Sequence, residues 1–258
     1  MPVTDTVPDT DPDATPVPAL EVVGVTVGFG GLLALDDVTL DAQAGIVTGL
    51  IGPNGAGKTT LFNAICGLQS MQRGQISLCG RPITRSAPHV RARRGLARTF
   101  QRLEVFGSLS VRDNVRVAAE IHNVFSDVTG EADAVVDPIL ERVGIGDIAD
   151  EYVDALPTGQ ARLVELARAL ATEPKVLLLD EPSSGLDPSE TREMGTLLTE
   201  IGSEGLAILL VEHDVGLVMS TCARIHVLEF GTVIAQGTPD EIRGDEQVQA
   251  AYLGSSTT

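Results

Sequence analysis

The sequence predicts an α/β fold in which an open, mostly parallel sheet carries a phosphate site at one edge. Three observations predict it. An apolar run, Ile46-Val47-Thr48-Gly49-Leu50-Ile51, leads through the glycine-rich stretch Gly52 to Thr60 into Leu61-Phe62-Asn63-Ala64-Ile65. Two further apolar runs, Val176-Leu177-Leu178-Leu179 and Leu206 to Val211, each end in acidic residues. Segments with helical spacing of apolar residues separate these runs. Strands alternating with helices mark a parallel sheet.

In chain order, Met1 to Pro18 is rich in Pro, Thr and Asp without a basic residue, and predicts a disordered acidic tail. Short β-type runs follow at Leu20 to Val27, Leu35 to Leu40 and Gly45 to Ile51. Phe29 sits on the Gly-flanked turn between the first two. It either offers a flat face to a base or tucks under the sheet. The helix after the phosphate loop ends at Gly67, and Gln75 to Leu78 reads as another strand. Arg81, Arg85, Arg91, Arg93, Arg94, Arg98 and Arg102 form the dense basic stretch, which reads as a solvated face. It closes on Ala97-Arg98-Thr99-Phe100-Gln101, a strand-like run ending in an amide.

Ser110-Val111-Arg112-Asp113 reads as a capping box, with Val111, Val115, Ala118 and His122 at helical spacing behind it. The helical pattern from Glu131 to Val143 meets Pro138. Either the helix kinks there or Asp137 caps a new one. A mostly helical insert therefore spans about 103–158. Leu156-Pro157-Thr158-Gly159-Gln160 precedes a helix with Leu163, Leu166, Ala167 and Leu170 on one face, and Thr158 is a good N-cap. The apolar run Val176 to Leu179 reads as a strand buried on both faces, delivering Asp180-Glu181-Pro182 to its C-terminal end. Ser184 to Asp187 turns into a further helix, and Ala207 to Val211 delivers Glu212-His213-Asp214. Phe230-Gly231 marks a hairpin before a short C-terminal helix. No internal repeat is present.

The stretch Gly52-Pro53-Asn54-Gly55-Ala56-Gly57-Lys58-Thr59-Thr60 fits G-x-x-x-x-G-K-[ST] between a strand and a helix. Gly52, Gly55 and Gly57 let backbone N–H groups approach phosphate oxygens. The helix start adds unpaired N–H groups and the positive end of its dipole. Lys58 supplies a charge for the β- and γ-phosphates, and the Thr59 hydroxyl suits Mg²⁺. Asp180 is placed to hold the same ion. Glu181 can orient or deprotonate a water attacking the γ-phosphate. His213 leaves a neighbouring strand and can contact that phosphate or hold the water and Glu181. His89, His122 and His226 read as ordinary surface or core residues.

Together these residues resemble the ATP-binding cassette (ABC) ATPase family. The phosphate loop, Gln101 as the glutamine-loop residue, Leu156 to Gln160 at the signature position, Asp180-Glu181, the Ser184 to Asp187 turn and the switch histidine His213 carry the resemblance over about 20–254. It implies a P-loop NTPase (RecA-like) core, an N-terminal antiparallel β subdomain and a helical insert subdomain. It also implies ATP and Mg²⁺ as cofactors, with Thr59, Gln101 and Asp180 around the metal, Glu181, His213 and Gln101 as catalytic residues, and Phe29 as the adenine-stacking aromatic. The signature departs from the family's LSGGQ: Pro157 replaces the serine, and Thr158 restores a hydroxyl one position later. Because that segment closes over ATP held by another cassette, the resemblance implies a second ATPase subunit, identical or related. It implies separate membrane-spanning permease subunits and, through them, a solute-binding protein. Phe29 to Leu32, Ala97 to Gln101 and Val248 to Gly254 look like the ATPase subunits of branched-chain amino acid importers. That places the chain in the cytoplasm, peripheral on the inner face of the cell membrane. A non-transport cassette, such as an iron–sulfur cluster assembly ATPase, lacks these subgroup marks. A small-molecule kinase leaves Gln101, Gln160 and His213 unexplained.

Composition bounds the reading. The 258 residues are 43% hydrophobic, enough for a substantial core, but only 3% aromatic, leaving few platforms on which bases could stack. A net charge of −18 argues against nucleic acid as a partner. Cys66, Cys79 and Cys222 lack paired or metal-like spacing and predict free thiols in a reducing compartment. The beginning of the chain has no signal-peptide pattern, and no apolar run reaches membrane-spanning length.

Overall fold

A computed structural model describes residues 17–125 and 132–254, with side chains to 251. The expected tail at 1–18 lies almost wholly outside the described residues, as do Glu131 and the last four residues. A first, antiparallel sheet has the order β2-β1-β4-β5, formed by β1 (Leu20–Phe29), β2 (Leu32–Ala42), β4 (Arg73–Leu78) and the short β5 (Arg81–Pro82). The second has the order β10-β9-β3-β8-β7-β6. Its strands are β3 (Val47–Ile51), β6 (Leu96–Arg98), β7 (Val176–Asp180), β8 (Ala207–Val211), β9 (Arg224–Glu229) and β10 (Thr232–Gly237). All its neighbours pair in parallel except β10, which closes the predicted hairpin on β9 through Phe230-Gly231.

Every residue of β3, β7 and β8 is buried, because both faces of the parallel sheet are covered. Alternate side chains serve different layers, as the pleat requires. Leu177 and Leu179 of β7 join one core with helices α5 (Thr158–Leu170) and α6 (Pro188–Ser203). Val176 and Leu178 join the other, with α1 (Lys58–Cys66) and the first sheet. The remaining helices are α2 (Pro88–Arg93), α3 (Val111–Phe125), α4 (Asp133–Arg142), α7 (Val215–Thr221), α8 (Pro239–Gly244) and α9 (Glu246–Gly254).

Several local expectations are corrected. Strand β1 runs through to Phe29, which pairs with Leu32 across a Gly30-Gly31 turn, so Phe29 ends a strand instead of sitting on the turn. Pro138 lies inside α4, and Asp137 caps no new helix; its carboxylate pairs with Arg112 of α3. Ser110 does cap α3, accepting from the Asp113 N–H at 3.1 Å. At α5 the N-cap is Pro157, with Thr158 the first helical residue and no side-chain cap bond. Proline already has the φ of a helix start and lacks the N–H that would need a partner there. The arginine stretch is not a uniformly solvated face. Arg91 is 3% exposed and donates to the carbonyls of Ala64, Ile65, Thr84 and Ser86. It thereby closes the carbonyl end of α1, where a cation meets the negative end of the helix dipole. The Arg98 side chain is also largely withdrawn from solvent, for reasons given below.

Candidate active site

The phosphate loop is shaped by close approaches that exclude a side chain. A Cβ at Gly52 would lie 1.9 Å from the Leu228 carbonyl oxygen of β9, and one at Gly57 would lie 2.7 Å from the Ala34 oxygen. Gly57, at φ 112°, is the N-cap of α1, and no side chain occupies the cap. The first N–H groups of α1 are thus left for an anion. The loop is tied to the second sheet by the Gly231 N–H, which donates to the Ala56 carbonyl at 2.9 Å. Lys58 is buried and folds back, with Nζ donating to the carbonyls of Gly52 at 2.7 Å and Pro53 at 3.1 Å. Burial lowers its pKa, while Glu181 and Asp180 oppose that shift. Thr59, Asn54 and Gly55 are exposed at the mouth of the loop, and Pro53 and Thr60 are half-buried.

The strand order decides what meets this loop. Strand β8 lies between β3 and β7, and Asp180 pairs in register with Val211, so the C-terminal ends of all three strands share one edge. There the Glu181 carboxylate receives the Gln101 amide, Nε2 to Oε2, at 2.9 Å. Its other oxygen, Oε1, meets His213 Nε2 at 2.6 Å. The three residues are therefore one hydrogen-bonded unit. Glu181 holds a left-handed φ of 53°, an uncommon conformation for a residue with a side chain. Its N–H donates to the Val211 carbonyl at 2.8 Å, and its carbonyl accepts from Ser184.

Three residues that the sequence reading left without a role, Glu212, Arg162 and Glu165, hold the chain around this unit, and a fourth, Arg98, holds Asp180 beside it. Glu212 is 4% exposed and accepts from the Ser183 N–H at 2.8 Å and the His213 N–H at 3.1 Å. Arg162 and Glu165 of α5 form a buried pair at 3.1 Å. Arg162 donates to the carbonyls of Phe100 at 3.1 Å and Gln101 at 2.7 Å, and Glu165 accepts from the Phe100 N–H. Burial raises the Glu165 pKa despite these contacts. Arg98 donates to Asp180 Oδ2 at 2.8 Å and to Asn63 Oδ1 at 2.7 Å. The signals available in the sequence were the i, i+3 spacing of Arg162 and Glu165 and the position of Glu212 directly after an apolar run.

The signature segment makes no hydrogen bond with the phosphate loop. Leu156 and Gln160 are half-buried, Gly159 is buried, and Pro157 and Thr158 are exposed. A Cβ at Gly185 would lie 3.2 Å from Thr158 Cγ2, which places the Ser184 to Asp187 turn beside the signature. Asp187 then caps α6 in a full capping box with Glu190. Phe29 is 52% exposed, which removes the alternative of a ring tucked under the sheet.

A family model described as an ABC transporter matches residues 35–184. A second, described as a branched-chain amino acid ATP-binding cassette transporter, matches residues 232–257. The high-affinity branched-chain amino acid transport ATP-binding protein BraF of Pseudomonas aeruginosa is 39% identical over 93% of this chain and 99% of its own length. The lipopolysaccharide export system ATP-binding protein LptB of Haemophilus influenzae is 37% identical over 85% of this chain and 90% of its own. Among solved structures, the ADP conformation of MJ1267, an ATP-binding cassette of an ABC transporter, aligns with a TM-score of 0.82 at 28% identity. That alignment covers 92% of this chain and 99% of the other.

Proposed function

The chain belongs to the ABC transporter family, in its branched-chain amino acid branch, and on that premise we propose that it hydrolyses ATP to drive amino acid uptake through membrane permease subunits. The observation that carries the chemistry is the Glu181 carboxylate bridging Gln101 and His213 at the sheet edge that bears the phosphate loop. Glu181 accepts a proton from the water that attacks the γ-phosphate. Gln101 and His213 fix the carboxylate, and His213 bonds through Nε2. The Gly52 to Thr60 loop and Lys58 hold the phosphates, and Phe29 stacks on the adenine. Mg²⁺ fits the donors present: one carboxylate from Asp180, the Thr59 hydroxyl and the Gln101 amide. No cluster of three acidic, His or Cys ligands exists among the described residues, and Mg²⁺ characteristically completes its shell with phosphate oxygens and water. When bound, it neutralises charge on the β- and γ-phosphates.

Identity alone barely separates the branched-chain amino acid transport relative at 39% from the lipopolysaccharide export relative at 37%. The match at 232–257 to the branched-chain amino acid model favours import. Among the described residues no helix is long and apolar enough to cross a membrane; this reading requires a membrane-spanning permease as a partner. Its docking face is the groove between the glutamine loop and the helical insert, where Phe100, Phe106 and Ile121 are exposed. Cells lacking the gene should lose uptake of radiolabelled leucine, isoleucine and valine. Unchanged uptake of all three, with loss of another solute, would remove the cargo and leave the ATPase standing.

The signature acts on ATP held by a second cassette, and Thr158 supplies its hydroxyl. Thr158 is exposed, and it is the first residue of α5 and not its cap. Thr158→Val should therefore leave thermal stability and nucleotide affinity of the isolated chain unchanged, to within ~0.5 kcal/mol. It should slow ATP turnover of the assembled transporter several-fold. A silent Thr158→Val together with a faster Pro157→Ser would assign the hydroxyl no role.

A further inference from the structure

We propose that Arg98 is a positioning residue that holds the Asp180 carboxylate and supplies its counter-charge, so that the site accepts a nucleotide's phosphates before the metal ion as well as with it. The proposal rests on the reading of Asp180 as a Mg²⁺ ligand. Arg98 ends β6, three residues before Gln101. Its two terminal nitrogens reach different elements, Asp180 Oδ2 at the end of β7 at 2.8 Å and Asn63 Oδ1 on the phosphate-loop helix α1 at 2.7 Å. Its side chain is 7% exposed and that of Asp180 is 6%. The guanidinium lies 5.4 Å from the Phe62 ring centre and 4.9 Å from that of Phe100. It is thus fixed on two polar sides and flanked by two aromatic rings. The Cys66 thiol also lies beside this guanidinium, which opposes the rise that burial gives the thiol's pKa.

A planar fork bonded to two elements fixes the carboxylate rotamer, which an ammonium on a flexible stem does less well. The charge has a separate effect. With Arg98 in place Asp180 is neutralised, so a free nucleotide's phosphates meet little repulsion from it. Without Arg98, the buried carboxylate repels metal-free nucleotide and attracts the metal complex more strongly.

The test is equilibrium binding of ADP to the full chain in EDTA and in excess Mg²⁺, for the wild type, Arg98→Gln, Arg98→Lys and Asp180→Asn. The ratio of the two dissociation constants should rise about tenfold in Arg98→Gln, mainly through weaker binding in EDTA. It should stay within about twofold of wild type in Arg98→Lys, which keeps the charge. Equal weakening in both buffers would mean a merely structural role and overturn the proposal. A ratio unchanged by Asp180→Asn would instead remove Asp180 as the metal ligand, and the role of Arg98 with it. Should Arg98→Gln fail to fold, the guanidinium NMR signals of isotope-labelled arginine in the wild type decide, with Arg98→Lys assigning the Arg98 resonance. That resonance should move when Mg²⁺ is added to the ADP-bound chain and stay in place when ADP is added in EDTA. No movement with Mg²⁺ would overturn the proposal.

Discussion

Glu181→Gln is expected to bind ATP with wild-type affinity and to turn it over on the order of a hundredfold or more slowly. The substitution keeps the shape and the hydrogen-bonding capacity of the side chain, so the contacts with Gln101 at 2.9 Å and His213 at 2.6 Å can be remade. What it removes is the negative charge and the ability to take a proton. Binding depends on the phosphate loop, whose N–H groups and Lys58 are untouched. Turnover, on the proposed mechanism, depends on the carboxylate. Phosphate release measured in single-turnover mode separates the two. A rate near wild type would show that another group accepts the proton, and would demote Glu181 to a residue that merely bridges its neighbours.

Lys58→Ala is expected to weaken ATP binding itself, by ~100-fold, the loss of charge-assisted hydrogen bonds to phosphate. Here the structure adds a second expectation. Lys58 is 7% exposed, and burial lowers its pKa, so the cation is held in the folded chain at a solvation cost. Its hydrogen bonds to the Gly52 and Pro53 carbonyls offset part of that cost. Removing the side chain should therefore leave the melting temperature without nucleotide almost unchanged, while abolishing the rise in melting temperature that ATP produces in the wild type. Equilibrium titration and thermal melts in the two conditions check both. A large drop in nucleotide-free stability would make Lys58 a structural strut of the loop and not primarily a phosphate ligand.

Residues that act through local chain geometry were legible beforehand. The phosphate loop is one contiguous stretch, and its glycines, cap and following helix are set by neighbours in sequence. Strands β7 and β8 were legible because burial on both faces leaves a continuous apolar run, and the acids follow directly in the chain. Phe29 was legible as an aromatic near the loop but not as exposed, since a turn and a strand end look alike beside Gly30-Gly31. Thr158 was misplaced by one residue because propensity favours its hydroxyl at a cap, whereas Pro157 already satisfied the geometry of that position.

By itself the sequence determined the kind of site: a loop for phosphates, acids at strand ends, and an amide and an imidazole available to them. Tertiary structure alone decided how these groups pair. Gln101 and Glu181 are 80 residues apart, Arg98 and Asp180 82, and Arg162 and Gln101 61. Each contact follows from the strand order β3-β8-β7-β6 and from α5 packing beside β6. Local propensity and periodicity report on neighbours within a few positions. A polar contact across the sheet leaves no periodic trace in the chain, because its partners are chosen by which strands lie side by side.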